Sequence, residues 1–371
     1  MLGTFLALGF GCAPLLAEGG AILNKLKAVT TLSTTVPMNG DINPYGLVRI
    51  PRTVGNLTEG NYLVSNFNDA GNAQGTGTTI VEISPGGAMS QFAQISVNPG
   101  SCPGGVGLTT ALAVLKTGWV IVGSLPTTDG TAATVGAGCL IVLDSEGNVA
   151  ETFYGSLING PWDMVWSDND HQAVLFVTNV LNGTVAAGGS VVNQGTVVRV
   201  NLAVSTNQMP YLESLTVVGS GFSERSDPVA LVIGPTGVGL SCRHDEGSCD
   251  NDADDNDAHL YIADSLNNRI AEINHPFTRT LSAGTGRTLT SGGFLNDPLG
   301  LNVAPDGHIF VVNGNDGNVI EISPEGKQLA KELIDSSGNP PGSGALFGVL
   351  FDPAHGLVFV DDATNTLNLL H

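Results

Sequence analysis

Residues 260–273, LYIADSLNNRIAEI, constrain this chain more than any other stretch, because they hold two short strands and the turn between them. Leu260, Ile262 and Ala263 make an apolar, partly β-branched run. Residues 264–268 form a polar turn, and residues 269–273 alternate again as a second strand. The figure recurs: residues 309–322 read IFVVNGNDGNVIEI and residues 357–369 read LVFVDDATNTLNL. YLVSNFN from Tyr62 is followed by TIVEI, LFVTNVLN from Leu175 by TVVRVNL, and, more weakly, WVIVGSLP from Trp119 by CLIVLD. Upstream of each hairpin stands another apolar strand, usually led by a proline: Pro44, Pro161, Pro228 and Pro298. The copies at Phe347 and at residues 108–115 lack it. A fourth, more polar segment follows most hairpins, as in MSQFAQI from Met89 and KQLAKELI from Lys327.

A unit of four short strands cannot bury both of its faces alone and must stack on its neighbours. Six such units predict an all-β fold, a six-bladed β-propeller of four-stranded antiparallel blades. The last unit supplies three strands before His371, and residues 28–36, AVTTLSTTV, have the composition of the missing outer strand. They are expected to complete the last blade, closing the ring and covering its exposed edge. The 50 glycines, 13% charged residues and 6% aromatics suit short strands and tight turns. The repeat runs without a linker, so residues 18–371 are expected to be a single propeller with an insertion at 241–258 in the fourth blade. Residues 1–17, apolar from Leu2 to Leu16 and ending in Ala17, read as a signal peptide, although no Lys or Arg precedes the apolar run. A lipoprotein anchor through Cys12 is a minor alternative.

LYIADSLNNRIAEI and LGLNVAPDGHIFVVNGNDGNVIEISPEG resemble NHL repeats, whose blades read Pro-x-Gly, a strand, an Asp-Gly turn, a second strand ending in Asp or Asn, and a third strand. The resemblance is strong over residues 295–326, extends over 228–274 apart from the insertion, and is loose in the first three blades. It implies the propeller fold and leaves the function open, because such propellers serve as binding scaffolds, lyases and lactonase-like hydrolases.

The formal charge of -21 leaves thirteen basic residues with no cluster among them, which disfavours nucleic acid and anionic membrane surfaces as partners. No stretch after the leader is apolar and long enough to span a bilayer. Cys242 and Cys249 are spaced to close a small disulfide loop. Cys102 and Cys139 fall on one face of a propeller and are expected to form a second bridge. Lasting bridges need an oxidising compartment, so a secreted or periplasmic location is expected.

Three sets of residues carry candidate chemistry. Asp250, Asp252, Asp254, Asp255 and Asp257 present oxygens at alternate positions, as calcium requires, and resemble the opening of an EF-hand loop. They depart from it at Asp255, where the turn glycine belongs, and at Tyr261, where the closing acid belongs. His171, His244, His259, His308 and His355 fall on the same face as this insertion, without a metal-binding spacing. On the other face Asn66, Asn179, Asp264, Asn313 and Asp361 end the second strands and should form a ring around the channel mouth, with Asp163 and Asn302 on innermost strands pointing inward. Such a ring suits calcium, and the same residue types also cap turns. In paraoxonase and gluconolactonase-like propellers, to which the blade pattern is similar, a channel calcium polarises a lactone or ester carbonyl, and Asn302 in GLNVAPDG looks like an asparagine ligand of that family. The family's early glutamate has no counterpart near residues 41–46, and no histidine base is predicted on this face.

The expectation is therefore a secreted propeller that binds a small molecule or a protein partner, with no catalytic residue assigned. The alternative is a calcium-dependent lactonase or esterase-like hydrolase with Asp264, Asn302 and Asn313 as metal ligands.

Overall fold

A computed structural model describes residues 20–98, 100–228, 230–241 and 258–371. Six antiparallel sheets stand around a central channel as the blades of a propeller. Their innermost strands are Ile42–Arg49, Leu108–Val114, Pro161–Asp168, Pro235–Ser241, Pro298–Val303 and Leu346–Asp352, in blades 1 to 6. Each pairs with the second strand of its blade: Tyr62–Asn68, Val120–Ser124, Gln172–Asn179, His259–Asp264, Ile309–Asn313 and Gly356–Asp361. As expected, Val29–Thr34 pairs with Thr366–Leu370 and completes the sixth blade from the other end of the chain.

The middle strands explain why stacking holds the ring together. CLIVL, VIVGS and IFVVN are buried at every position, with no alternation, because each lies in a sheet covered on both faces by neighbouring blades. Six apolar clusters accordingly lie between successive blades, as where Phe176 and Phe222 of blade 3 meet Leu260 and Ile262 of blade 4. A seventh lies at the channel mouth. The expected Cys102–Cys139 disulfide is present, with the Cα atoms 5.5 Å apart. Among the described residues no helix is long and apolar enough to cross a membrane.

Blade 3 departs from the repeat. Its outer hairpin, Val192–Ser205 with Gln208–Asp227, runs past Asn179 on the proline face, and Leu231–Ile233 then folds back as a fifth strand against residues 225–227. This corrects the assignment of Pro228 as the start of an innermost strand. That strand begins at Pro235, which stands opposite Asp264. The deciding residue is the glycine two places on. A Cβ on Gly237 would collide with the Leu299 carbonyl of the next blade, and one on Gly300 with the Phe347 carbonyl. Innermost strands crowd at the axis, so Pro-x-Gly is the working signal. Pro228-Val-Ala lacks it and Pro235-Thr-Gly has it.

Candidate functional site

Within the channel lies a cavity of about 220 Å³. Tyr45, Trp162 and Asp163 bound it toward the proline face, and Arg49, Trp166 and Leu350 toward the opposite face. In blade 3 the tripeptide is Pro161-Trp162-Asp163, so a carboxylate stands where blades 1, 4 and 5 carry only a glycine hydrogen. Asp163 Oδ1 accepts the Met164 amide at 2.8 Å, and Oδ2 accepts the Val238 amide of blade 4 at 3.1 Å. Part of its surface meets the cavity, but dense protein surrounds the carboxyl, and this desolvation, working against both hydrogen bonds, pushes its pKa up to about 8. Asn302 lines the same cavity. Its Oδ1 accepts the Phe351 amide of blade 6 at 2.9 Å, and its Nδ2 has no protein partner among the described residues.

The proline-face mouth is closed by apolar side chains. Tyr45 stacks on Phe347 with ring centroids 4.1 Å apart and meets Trp162 edge-on at 5.6 Å. Leu231 and Val232, on the returning strand of blade 3, join this cluster with Phe67, Leu125 and Val180. Leu231 adopts φ +62°, an uncommon conformation for a branched residue. Burial raises the Tyr45 hydroxyl well above its ordinary pKa, and Asp163, Asp297 and Asp362 add to the shift, so it stays neutral. Sequence reasoning missed this closure, because Tyr45, Trp162 and Phe347 read as ordinary core residues of their strands.

The ring residues lie at the ends of the second strands, one strand out from the cavity, and bond to their own turns or to the connections beside them. Asp264 receives Arg269 Nε on Oδ2 at 2.7 Å and Asn267 Nδ2 on Oδ1 at 2.9 Å. Asn313 accepts the Asn296 amide and donates to the Phe294 carbonyl. Asn179 accepts the Gly160 amide, and Asp361 accepts the Thr364 amide. Asn66 donates to the Thr35 carbonyl, and its Oδ1 is buried without a partner. Of the seven residues expected on this face, the structure brings Asp163 and Asn302 to the cavity and leaves the other five bonded to turns and connections at the ends of the second strands.

Calcium needs about six to eight oxygens around one point. The ring oxygens are mostly engaged, Arg269 already neutralises Asp264, and the axis at the mouth is filled by aromatic rings. Among the described residues no three of His, Cys, Asp and Glu converge as a metal group, and this donor set does not fit calcium. His259, His308 and His355 pair separately with Glu272, Glu321 and Asp352. The acidic insertion with Asp250, Asp252, Asp254 and Asp257, the Cys242 and Cys249 pair, and residues 1–17 with Cys12 lie outside the described residues.

Behind Arg49, outside the cavity lining, lies a buried carboxylate. Asp352, 1% exposed at its side chain, accepts from the Tyr62 hydroxyl at 2.8 Å, and the same oxygen lies 3.3 Å from Arg49 Nε and 3.0 Å from His355 Nδ1. Burial works to raise its pKa, but these partners outweigh it and hold the carboxyl below its ordinary value.

No family model matches the sequence, and no curated protein matches it. Among solved structures, the chain is similar to a gluconolactonase from Xanthomonas campestris, with a TM-score of 0.55 and 13% identity over 95% of this chain and 92% of that one. It is also similar to the regucalcin of Agrobacterium tumefaciens, described as a calcium-binding protein, with a TM-score of 0.53 and 14% identity over 91% and 92%. A streptogramin B lyase matches with a TM-score of 0.51 and 11% identity over 92% and 96%. These likenesses are ones of fold: the chain shares the six-bladed architecture of gluconolactonase- and regucalcin-type propellers.

Proposed function

We propose that this propeller is a hydrolase working in its central channel on a small lactone or related ester. The observation that carries the reading is Asp163, a carboxyl with a pKa raised to about 8 that stands in the cavity wall where sister blades have glycine. A strongly shifted acid in a cleft marks a candidate acid–base group. Once ionised, Asp163 takes a proton from a water that adds to the substrate carbonyl, while Asn302 Nδ2 donates to the carbonyl oxygen. The ring C–O bond then breaks, and Asp163 returns the proton to the departing alkoxide, giving a hydroxy acid. The gluconolactonase among the fold neighbours supports this reading over a passive scaffold. No step uses calcium, because the described residues do not fit it.

The test is hydrolysis of a panel of five- and six-membered lactones and short esters, with and without chelator. Turnover should rise with pH through about 8, survive chelation and fall at least a hundredfold in Asp163→Asn, the scale of one general-base contribution. Absence of turnover across the panel would defeat it. A second reading, a binding protein for a small molecule or protein partner, is favoured by the aromatic closure of the mouth and by the internal bonding of the ring residues. That reading takes over if nothing is hydrolysed. We propose that the blades are NHL-type repeats and that the protein works in an oxidising compartment, secreted or periplasmic, a reading the Cys102–Cys139 bridge supports.

A further inference from the structure

We infer that the channel is loaded from the face opposite the prolines and holds a small organic carboxylate on Arg49, with its apolar body against Trp166 and Leu350. Three observations converge on this. The proline-face mouth is sealed: Tyr45 is 6%, Trp162 3% and Leu231 1% exposed. At the other end Arg49 is the one exposed residue among those lining the cavity, with 42% of its side chain open. Among the described residues, two other basic groups at this end are engaged elsewhere, Arg52 with Asp170 at 3.1 Å and Lys116 Nζ with the Asp168 carbonyl at 2.9 Å.

The chemistry of Arg49 fits an anion at that point. Asp352 pairs with Arg49 through Nε, and the guanidinium carries five N–H donors in a planar fork. Asp352 also serves Tyr62 and His355, so it orients Arg49 without exhausting it. Guanidinium binds a carboxylate through two parallel hydrogen bonds. Behind it the walls are Trp166, Leu350, Val165 and Leu112, which favour an apolar chain over a compact inorganic anion. Asp163 and Asn302 then meet a polar group at the deep end. The inference rests on the channel being the working site, as the hydrolase reading does, and it identifies the anionic product of lactone opening as the species Arg49 holds.

The test is equilibrium binding of hexanoate to the full chain, followed by calorimetry and by tryptophan fluorescence, since Trp162 and Trp166 line the cavity. Hexanamide and inorganic phosphate are the controls. Saturable hexanoate binding is expected, with both controls at least tenfold weaker. Arg49→Gln should weaken hexanoate at least tenfold and Arg49→Lys should recover part of it, while Leu350→Trp, which fills the cavity but keeps Arg49, should abolish binding. Absence of saturable hexanoate binding, equal binding of hexanamide or phosphate, or unchanged affinity in Arg49→Gln would each overturn the inference. Turnover is not needed for this measurement. Hexanoate binding without lactone hydrolysis retires the hydrolase and keeps the site, whereas hydrolysis with Arg49-independent binding does the reverse.

Discussion

Asp163 Oδ2 accepts the Val238 amide at 3.1 Å across the boundary between blades 3 and 4, in the wall of a cavity. One side chain thus ties two innermost strands and offers a titratable group to the channel. Asn302 repeats the arrangement between blades 5 and 6 through the Phe351 amide, with a side chain that cannot ionise. The carboxylate is therefore the member of this pair that makes the channel sensitive to pH.

Stability should fall as pH rises toward 8. In the folded chain Asp163 keeps its proton up to about pH 8, whereas in the unfolded chain it loses it near pH ~4. Between those values the folded state holds more protons, so its stability is full below the lower value and declines until pH passes the higher one. Glu224, pushed up to about 8, and Asp362, to about 7, act in the same direction, each chiefly through burial. Thermal midpoints at pH 5 and pH 8.5 check this: the fall should be several degrees smaller in Asp163→Asn, reflecting a few kcal/mol of linkage at most. Parallel curves for the two proteins would show that Asp163 titrates normally.

Replacing Asp264 should unfold the protein before it affects any ligand. Its side chain is fully buried and receives both Arg269 and Asn267. Asp264→Ala strands a largely buried guanidinium, a change that costs about 3–5 kcal/mol. Urea denaturation should show that loss, with specific activity per folded molecule unchanged. A variant of wild-type stability and no activity would return Asp264 to the functional site.

The Cys102–Cys139 bridge closes a loop with a sequence separation of 37. The chain-entropy relation gives about 4 kcal/mol for a loop of that size. The Cys102→Ala/Cys139→Ala double variant should lose up to this amount in denaturant titration, and added reductant should lower the wild type by more than it lowers the variant. Equal stability of wild type and double variant would mean that packing of blades 1 and 2 holds this region without the bridge.

The architecture was legible because stacked blades write their burial into the sequence: CLIVL and IFVVN have no polar face to alternate with, and each repeat brings the same turn residues. The ring of Asn and Asp residues was equally visible, but the sequence could not separate capping from ligation, since both use the same oxygens. Partners decide that, as Arg269 does for Asp264. The channel site was half visible. Asp163 and Asn302 were picked by position, while Tyr45, Phe347 and Trp162 come together from three blades, a juxtaposition no local pattern records. The one usable clue was Pro161-Trp-Asp, where the repeat asks for Pro-x-Gly. Blade 4 was misassigned at Pro228 for want of the same glycine rule.

The closing segment has its own anchor in Glu321, which is fully buried. Its Oε1 accepts the Ile22 amide at 2.9 Å, its Oε2 accepts the Leu23 amide at 2.8 Å, and His308 Nδ1 lies 2.6 Å from Oε1. Leu23, 1% exposed, is held in the apolar cluster between blades 5 and 6, just ahead of the closing strand Val29–Thr34. Glu321→Ala leaves two amides without their acceptor and should cost about 3–5 kcal/mol at the usual value of a hydrogen bond to a charged group. Glu321→Gln keeps one acceptor and should lose less. Hydrogen exchange in residues 20–34 should accelerate in the order wild type, Gln, Ala, while blades 1 to 3 exchange as before. If residues 20–34 exchange no faster in the Ala variant, pairing with Thr366–Leu370 closes the ring by itself and the carboxylate is not its anchor.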